Sequence, residues 1–385
     1  MKTFRTTAPQ RGFTLIELMI AMLIGVFLMA GILQIFSSAK QAYRLQENLS
    51  RLQENGRFAM DYLTKGVRMA GYMGCSSSVK STTNMVDPTK VSVASLALNA
   101  ISGMNNVTNN WNTKACGTNE CIANTDVINF MTAGSCGGKL TGNMTADNAN
   151  IQIVAPNTCN LDANEVVIIS DCSSTDIFAA TSVSGGTSSG KQTVAHANNV
   201  NLANKLSKAY SADAEIFAPH LMSYFIRSGA GGVPALWSFD STDASSTPQE
   251  LIEGIENMQV LYGVDTGTLT AAGVLDATKP DYLPNYYIDA SQVTDWTKVV
   301  SVRISLLAAS IENNLTDEAQ PYFYNGTTIT KADLSVSDSG SKIIPVLKTN
   351  TSQLCASLLS TCKQADDLRI HRVFSSTIAI RNRLP

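Results

Sequence analysis

Charge is scarce in this chain: Lys, Arg, Asp and Glu make up 15% of its 385 residues, against about a quarter in ordinary soluble domains. The formal charge of −3 comes with no basic stripe or patch in the body of the chain, so it lacks the footprint of a nucleic-acid binder. Histidine is scarcer still. His196, His220 and His371 are separated in sequence, no Cys-x-x-Cys or His-Glu-x-x-His occurs, and the patterns of structural zinc and of zinc hydrolases are absent. A nucleophilic triad would have to draw on one of these three histidines: the first lies in a polar stretch, the second beside Pro219, the third in a C-terminal apolar segment. No catalytic residue, no metal and no cofactor is therefore expected. Asp240 and Asp265 alone do not approach the six to eight oxygens that calcium takes, and Asp281, Asp289 and Asp295 read as turn and cap residues. Proline is missing throughout residues 13–71, which leaves nothing to interrupt a helix there.

What that proline-free stretch contains is a long apolar run. Leu18 to Leu33 carries no charge over 16 residues, and the wider segment from Phe13 to Phe36 is 24 residues, about 36 Å as a helix. It is long enough to span a bilayer. Lys2, Arg5 and Arg11 precede it without an acid, as suits a segment kept on the cytoplasmic side while the rest is exported; without them the formal charge would be −6. No small-residue cleavage site follows the run, so it reads as a retained anchor rather than a secretory signal. Beyond Phe36 the pattern turns amphipathic. Ala42, Leu45, Leu49, Leu52, Gly56, Ala59, Leu63 and Ala70 recur at three-four spacing among Lys, Arg, Gln and Glu, which extends one helix to about Gly71 with an apolar stripe suited to a sheet.

One residue disturbs the apolar run: Glu17. A lone carboxylate in hydrocarbon costs several kcal/mol unless neutralised or paired. The surrounding Gly12-Phe13-Thr14-Leu15-Ile16-Glu17 resembles the class III signal of type IV pilins and type II secretion pseudopilins. The resemblance implies that a prepilin peptidase cuts after Gly12, that Phe13 becomes an N-methylated first residue, and that Glu17 pairs with the new amine of a neighbouring subunit and fixes the stagger between helices. A glutamate snorkelling to the interface of a single-pass anchor is the plainer alternative.

The rest of the chain reads as β-rich. Thr125 to Thr132, Asn150 to Ala155 and Glu165 to Ser170 have the β-branched apolar runs of strands, set between cysteine-bearing turns. Residues 173–209, rich in Ser, Gly and Asn, read as a loop or hinge. Strands are expected again at Ala214–Arg227, at Trp237–Asp240, at Leu251–Thr266 and at Leu368–Arg383. At Thr297–Ser310, Val300, Val302, Ile304 and Leu306 alternate with Arg303 and Ser305. Gly254 and Gly263 read as backbone turns, and Arg303, Arg381 and Arg383 as solvated arginines or contacts to a partner. Eight cysteines, Cys75, Cys116, Cys121, Cys136, Cys159, Cys172, Cys355 and Cys362, are an even number in an exported chain and favour disulfides. Short separations single out Cys116 with Cys121 and Cys355 with Cys362, while the remaining pairing stays open among the 105 connectivities of eight cysteines.

Leu251–Thr266, Tyr286-Tyr287 through Trp296, Val299–Leu307 and Arg372–Arg383 narrow the resemblance to the PilW-type minor pilins of type IV pilus assembly, which are similar to the larger minor pseudopilins of type II secretion. The expected protein is α+β: a leader over 1–12, a pilin helix over 13–71 with its transmembrane part at 13–36, a disulfide-stapled β-rich lobe over 72–210, and an antiparallel sheet domain over 211–385. The resemblance implies an inner-membrane anchor with a periplasmic head, later at the pilus tip, that helps prime assembly. Its implied partners are other minor pilins, the major pilin, prepilin peptidase, membrane lipid and a large tip adhesin. Two other readings stand beside it: a type II pseudopilin, and an adhesin seated in residues 76–210.

Overall fold

A computed structural model describes residues 14–74, 82–91, 99–242, 246–269, 275–276, 279–316, 321–323, 362–364 and 368–383. Gly12, Phe13, Cys75 and Cys355 lie outside the described residues, as does the leader. The chain divides into two compact units, residues 1–51 and 52–385.

Helix α1 runs from Leu15 to Met69 over 55 residues, as the uninterrupted helical pattern dictates. In the first unit its large apolar side chains from Leu15 to Phe36 are exposed. In the second unit the three-four stripe is buried: Leu52, Gly56, Ala59, Leu63, Val67 and Ala70 face the core, whereas Ala42 and Leu45, upstream on the same stripe, remain exposed. The helix stops at Gly71, whose φ of 75° is a conformation only glycine adopts without strain, and whose N–H donates to the Met131 carbonyl at 2.8 Å.

The strands, in chain order, begin with β1 (Thr82–Asn84), β2 (Ile101–Met104), β3 (Val127–Lys139), β4 (Ile151–Val154), β5 (Val166–Ser170) and β6 (Thr175–Ala179). A short helix α2 (Thr113–Cys116) lies between β2 and β3. Then come β7 (Ser182–Gly186), β8 (Lys191–Ala195), β9 (Glu215–Ser228), β10 (Pro234–Asp240), β11 (Gln249–Glu253) and β12 (Ile255–Val264). Two-residue strands β13 (Thr268–Leu269) and β14 (Leu275–Asp276) precede β15 (Tyr286–Ile288), β16 (Val299–Ala309), β17 (Pro321–Phe323), β18 (Cys362–Gln364) and β19 (His371–Ala379).

Two sheets organise the head. Strand β9 is the spine of the larger, eight-stranded one: it pairs antiparallel with β3, with β5 at residues 215–217 and with β10 along residues 222–228. Strands from both sides of residue 210 thus share one sheet. The smaller sheet is antiparallel in the order β15-β12-β16-β19. The chain passes from one to the other at Gly254, between β11 and β12, where φ is 78° and a Cβ would stand 2.9 Å from the Ala309 carbonyl oxygen. On β16, Val302, Ile304 and Leu306 are fully buried in the helix-facing core, as the alternation predicts. The intervening residues are also covered: Ser305 bonds to Ser375 at 2.9 Å, and Arg303 lies 4.3 Å over the Tyr287 ring with its Nε donating to Thr377.

The stretch over 173–209, expected as a loop, holds three strands. Strand β6 is short but buried along its whole length, and β7 and β8 form a hairpin that completes a three-stranded sheet with β4. Ser and Gly fill four of the five positions of β7, and Lys, Gln and Thr open β8, so neither strand shows the period-two signal; Val194 is buried in the core of Ile151 and Ile153, with Val183 packed against it. Cys116 is joined to Cys121, across a Cα separation of 4.9 Å, and Cys136 to Cys159, across 4.7 Å. Cys172, at φ 69° in the β5–β6 turn, is disulfide-bonded too.

Two glycines let aromatic rings close onto α1. A Cβ on Gly56 would sit 2.2 Å from the Phe374 ring and one on Gly66 2.6 Å from the Phe130 ring. Phe130 is 1% exposed and has nowhere to move. Gly66→Ala should therefore destabilise the head by about 1–2 kcal/mol in a urea melt, despite the roughly 1 kcal/mol that alanine adds to helix propensity; unchanged or higher stability would refute the tight-contact account. The Asn382 side chain donates to the last helix carbonyls, Ala70 at 3.1 Å and Met69 at 3.4 Å. Its replacement by Ala should cost about 1 kcal/mol in the same melt.

Candidate assembly site

The chemistry that distinguishes this chain begins where α1 begins. Thr14 is the residue before the helix and Glu17 lies in its first turn. The Glu17 Oε2 accepts from the Thr14 N–H and from the Thr14 hydroxyl, both at 3.0 Å, and the Glu17 N–H donates to Thr14 Oγ1 at 3.3 Å. This is a reciprocal capping box: two of the helix's orphan N–H groups are satisfied by the side chains of the pair, and a negative charge sits at the positive end of the helix dipole. The signature Thr-x-x-Glu ahead of an apolar run is legible in the sequence and overlaps the prepilin-like motif at Glu17. The carboxylate that looks anomalous in the apolar run thus has two donors within its own turn.

Directly after Glu17 the helix is long and apolar enough to cross a membrane by length and composition. Leu15, Ile16, Val26, Phe27, Ile35 and Phe36 are each about two-thirds exposed or more, with no surface over them among the described residues. An apolar surface of this extent needs lipid or other apolar helices as its neighbours. The polar faces further along carry i,i+4 ion pairs, Glu47 with Arg51 at 2.8 Å and Asp61 with Lys65 at 2.7 Å, of the kind that supports an exposed helix face.

Inside the head the remaining sequence-flagged residues have structural partners. Asp281 accepts from the Leu283 N–H; Asp289 and Asp295 cap the turns at Ala290–Gln292 and Trp296–Lys298. Asp265 accepts from the N–H groups of Gly267 and Tyr282, and so shapes a turn. His196 bonds to the Ala149 carbonyl, His220 to Asp240 and His371 to Glu256. Burial alone would push the Asp240 carboxyl up, but His220 and Thr242 as donors hold it below the usual carboxylate range. Arg303 is engaged inside the sheet, and Arg381 is exposed. Residues 186–190 spell Gly-x-Ser-x-Gly, yet they form the exposed turn of the β7–β8 hairpin rather than a strand-to-helix elbow. Among the described residues no three His, Cys, Asp or Glu side chains gather as a metal site would require.

Sequence reasoning missed Gly66, Asn382 and the buried Asp126. A glycine in a helix and an asparagine near a chain end carry no distinctive pattern, and each acquires its role through a residue far away in sequence.

Comparison with known families accounts for both ends of this architecture. Residues 7–33 match the prokaryotic N-terminal methylation motif, and residues 223–382 match PilW, the Type IV Pilus-assembly protein W. No curated protein and no solved structure matches the chain. The second match takes in the last six residues of β9 and all of β10 to β19, among them strands that enclose the buried half of α1 together with β2 and β3, while the first covers the capping box and most of the exposed apolar half. Together the two matches support a type IV pilus minor pilin of the PilW type.

Proposed function

We propose that this chain helps prime type IV pilus assembly as one member of a tip-proximal complex of minor pilins. A pilin-like role in pilus assembly, with other pilins as partners, follows from the family, which is structural and non-enzymatic. The finer reading is carried by one observation: a PilW-type sheet over residues 223–382 stands behind a methylation-type N-terminus. The size of the head supports it, because a domain of some 300 residues is hard to repeat along a thin fibre and suits a low-copy place at its end.

In this reading prepilin peptidase cuts after Gly12 and Phe13 is then N-methylated. The helix anchors the chain in the inner membrane with the head in the periplasm, and Glu17 meets the new amine of a neighbouring pilin as the helix leaves the bilayer. The capping box supplies the resting partner that Glu17 exchanges for that amine. A large adhesin carried by the complex is a further partner. Residues 72–210 and 211–385 are proposed as the two functional parts of the head, the first supplying the outer strands that face what the tip touches and the second, with β2 and β3 of the first, holding the helix.

Glu17→Ala should be processed normally, as read by the size of the chain on immunoblots, and should lower the number of surface pili; wild-type numbers would remove Glu17 from assembly. Deletion of the gene should abolish or sharply reduce surface pili counted by electron microscopy while type II-secreted proteins stay normal. Lost secretion with normal pili would identify a pseudopilin instead, and pili and secretion both intact would favour an adhesin.

A further inference from the structure

Asp126, at the entry to β3, is 2% exposed. Its own N–H donates to the Met258 carbonyl at 2.8 Å. Its carboxylate accepts the Asn106 N–H at 2.9 Å and the Val260 N–H at 2.7 Å. One residue thereby ties β12 to the base of the loop over 107–125, which is closed on itself by Val107 N–H to Thr125 and Asn124 N–H to Val107 and carries α2 and the Cys116–Cys121 disulfide. The side chains of Gln259 and Asn257 add donors to the Asn124 carbonyl from the same strand.

The groups around the carboxylate make its charge costly. From β12, Tyr262 is wholly buried, its hydroxyl has no hydrogen-bond partner, and Asp126 is the charge that acts on it. From the turn at Ala290–Gln292, the capping carboxylate of Asp289, 6% exposed, is a like charge. No cation forms an ion pair with Asp126 among the described residues. Burial pushes the Asp126 carboxyl up to about 6 against the pull of its two backbone donors, and Asp289 adds to the push.

We propose that Asp126 is a proton-operated clasp between the disulfide-closed loop over 107–125 and the four-stranded sheet, firm when its carboxyl is neutral and looser when it is charged. A neutral carboxyl still accepts a backbone N–H through its carbonyl oxygen and removes the repulsion from Asp289. A charged one gains by reaching water, which it does when the loop lifts from β12. With an opened-state value near the ordinary 3.8 and a closed-state value of about 6, closing takes up a proton in that window. The added hold is complete below the opened-state value and is lost as pH rises through the closed-state value.

Amide hydrogen exchange of the full chain in detergent, corrected for intrinsic rates, tests this at the N–H groups of Asn106 and Val260. Opening at pH 7.5 should exceed that at pH 4.5 by roughly 25-fold. In Asp126→Asn the ratio should fall to near one, and in Asp289→Asn the dependence should persist with its midpoint moved to lower pH. A wild-type ratio near one would overturn the proposal, as would an unchanged ratio in Asp126→Asn. Should that variant not fold, the wild-type profile and the direction of the Asp289→Asn midpoint decide alone.

Discussion

The contact between the small-residue stripe of α1 and the aromatic rings that close on it governs the rest of the head. Gly56 and Gly66 weaken a helix by about 1 kcal/mol each. They are tolerated because Phe374 from β19 and Phe130 from β3 lie directly on the backbone there, and Ala59 and Ala70 continue the same narrow strip. Both sheets pack into one core with the helix: Ile128 and Leu236 of the larger, Met258, Ile304 and Leu306 of the smaller. A wider side chain on the stripe would push away a ring and, through it, the strand that carries the ring.

From this contact the topology makes sense. The chain needs both sheets on the helix, and it moves between them at Gly254, where the close Ala309 carbonyl leaves no room for a side chain. Asp126 bridges the sheets a second time, from the entry of β3 to β12, and Asn382 returns from the end of β19 to the helix terminus. Outer strands are less constrained. The β4-β8-β7 sheet shares a second core with the larger sheet, in which Ile151, Ile153 and Val194 lie with Val167, Ile169, Phe178 and Ile216, and the Cys136–Cys159 disulfide is part of it.

How much of this could be read from sequence depends on whether one residue or two carry the signal. The helix, its buried stripe and the strands β3, β5, β9, β12, β16 and β19 announce themselves through periodicity, which is local. The caps at Asp289 and Asp295 are local too. Strand β7 escaped because Ser and Gly fill four of its five positions, β8 because Lys, Gln and Thr open it and leave no alternation, and β6 because it is too short to display one. The glycine–ring contacts, the Asn382 cap and the Asp126 bridge each require two residues far apart in the chain, and no single-sequence pattern joins Gly66 to Phe130. At the N-terminus the legible motif had two meanings, a capping box and a processing signal, and both rest on the same Thr14 and Glu17.

One helix therefore answers to two solvents. Up to Phe36 its side chains are apolar all round, and the carboxylate at its start is satisfied within the first turn, so the segment needs nothing from the head to persist in an apolar medium. From Leu52 onward a single stripe is apolar and fits the two sheets of the head. The family matches fall on either side of that division: the methylation motif ends at residue 33, and the PilW match begins at residue 223 and holds most of the strands that pack on the stripe. Residues between the two matches still contribute to that core through Ile101 and Phe130, so the outer lobe is built onto the same helix rather than appended to it. A head made this way can vary in what its outer strands present while the helix stripe keeps one packing solution.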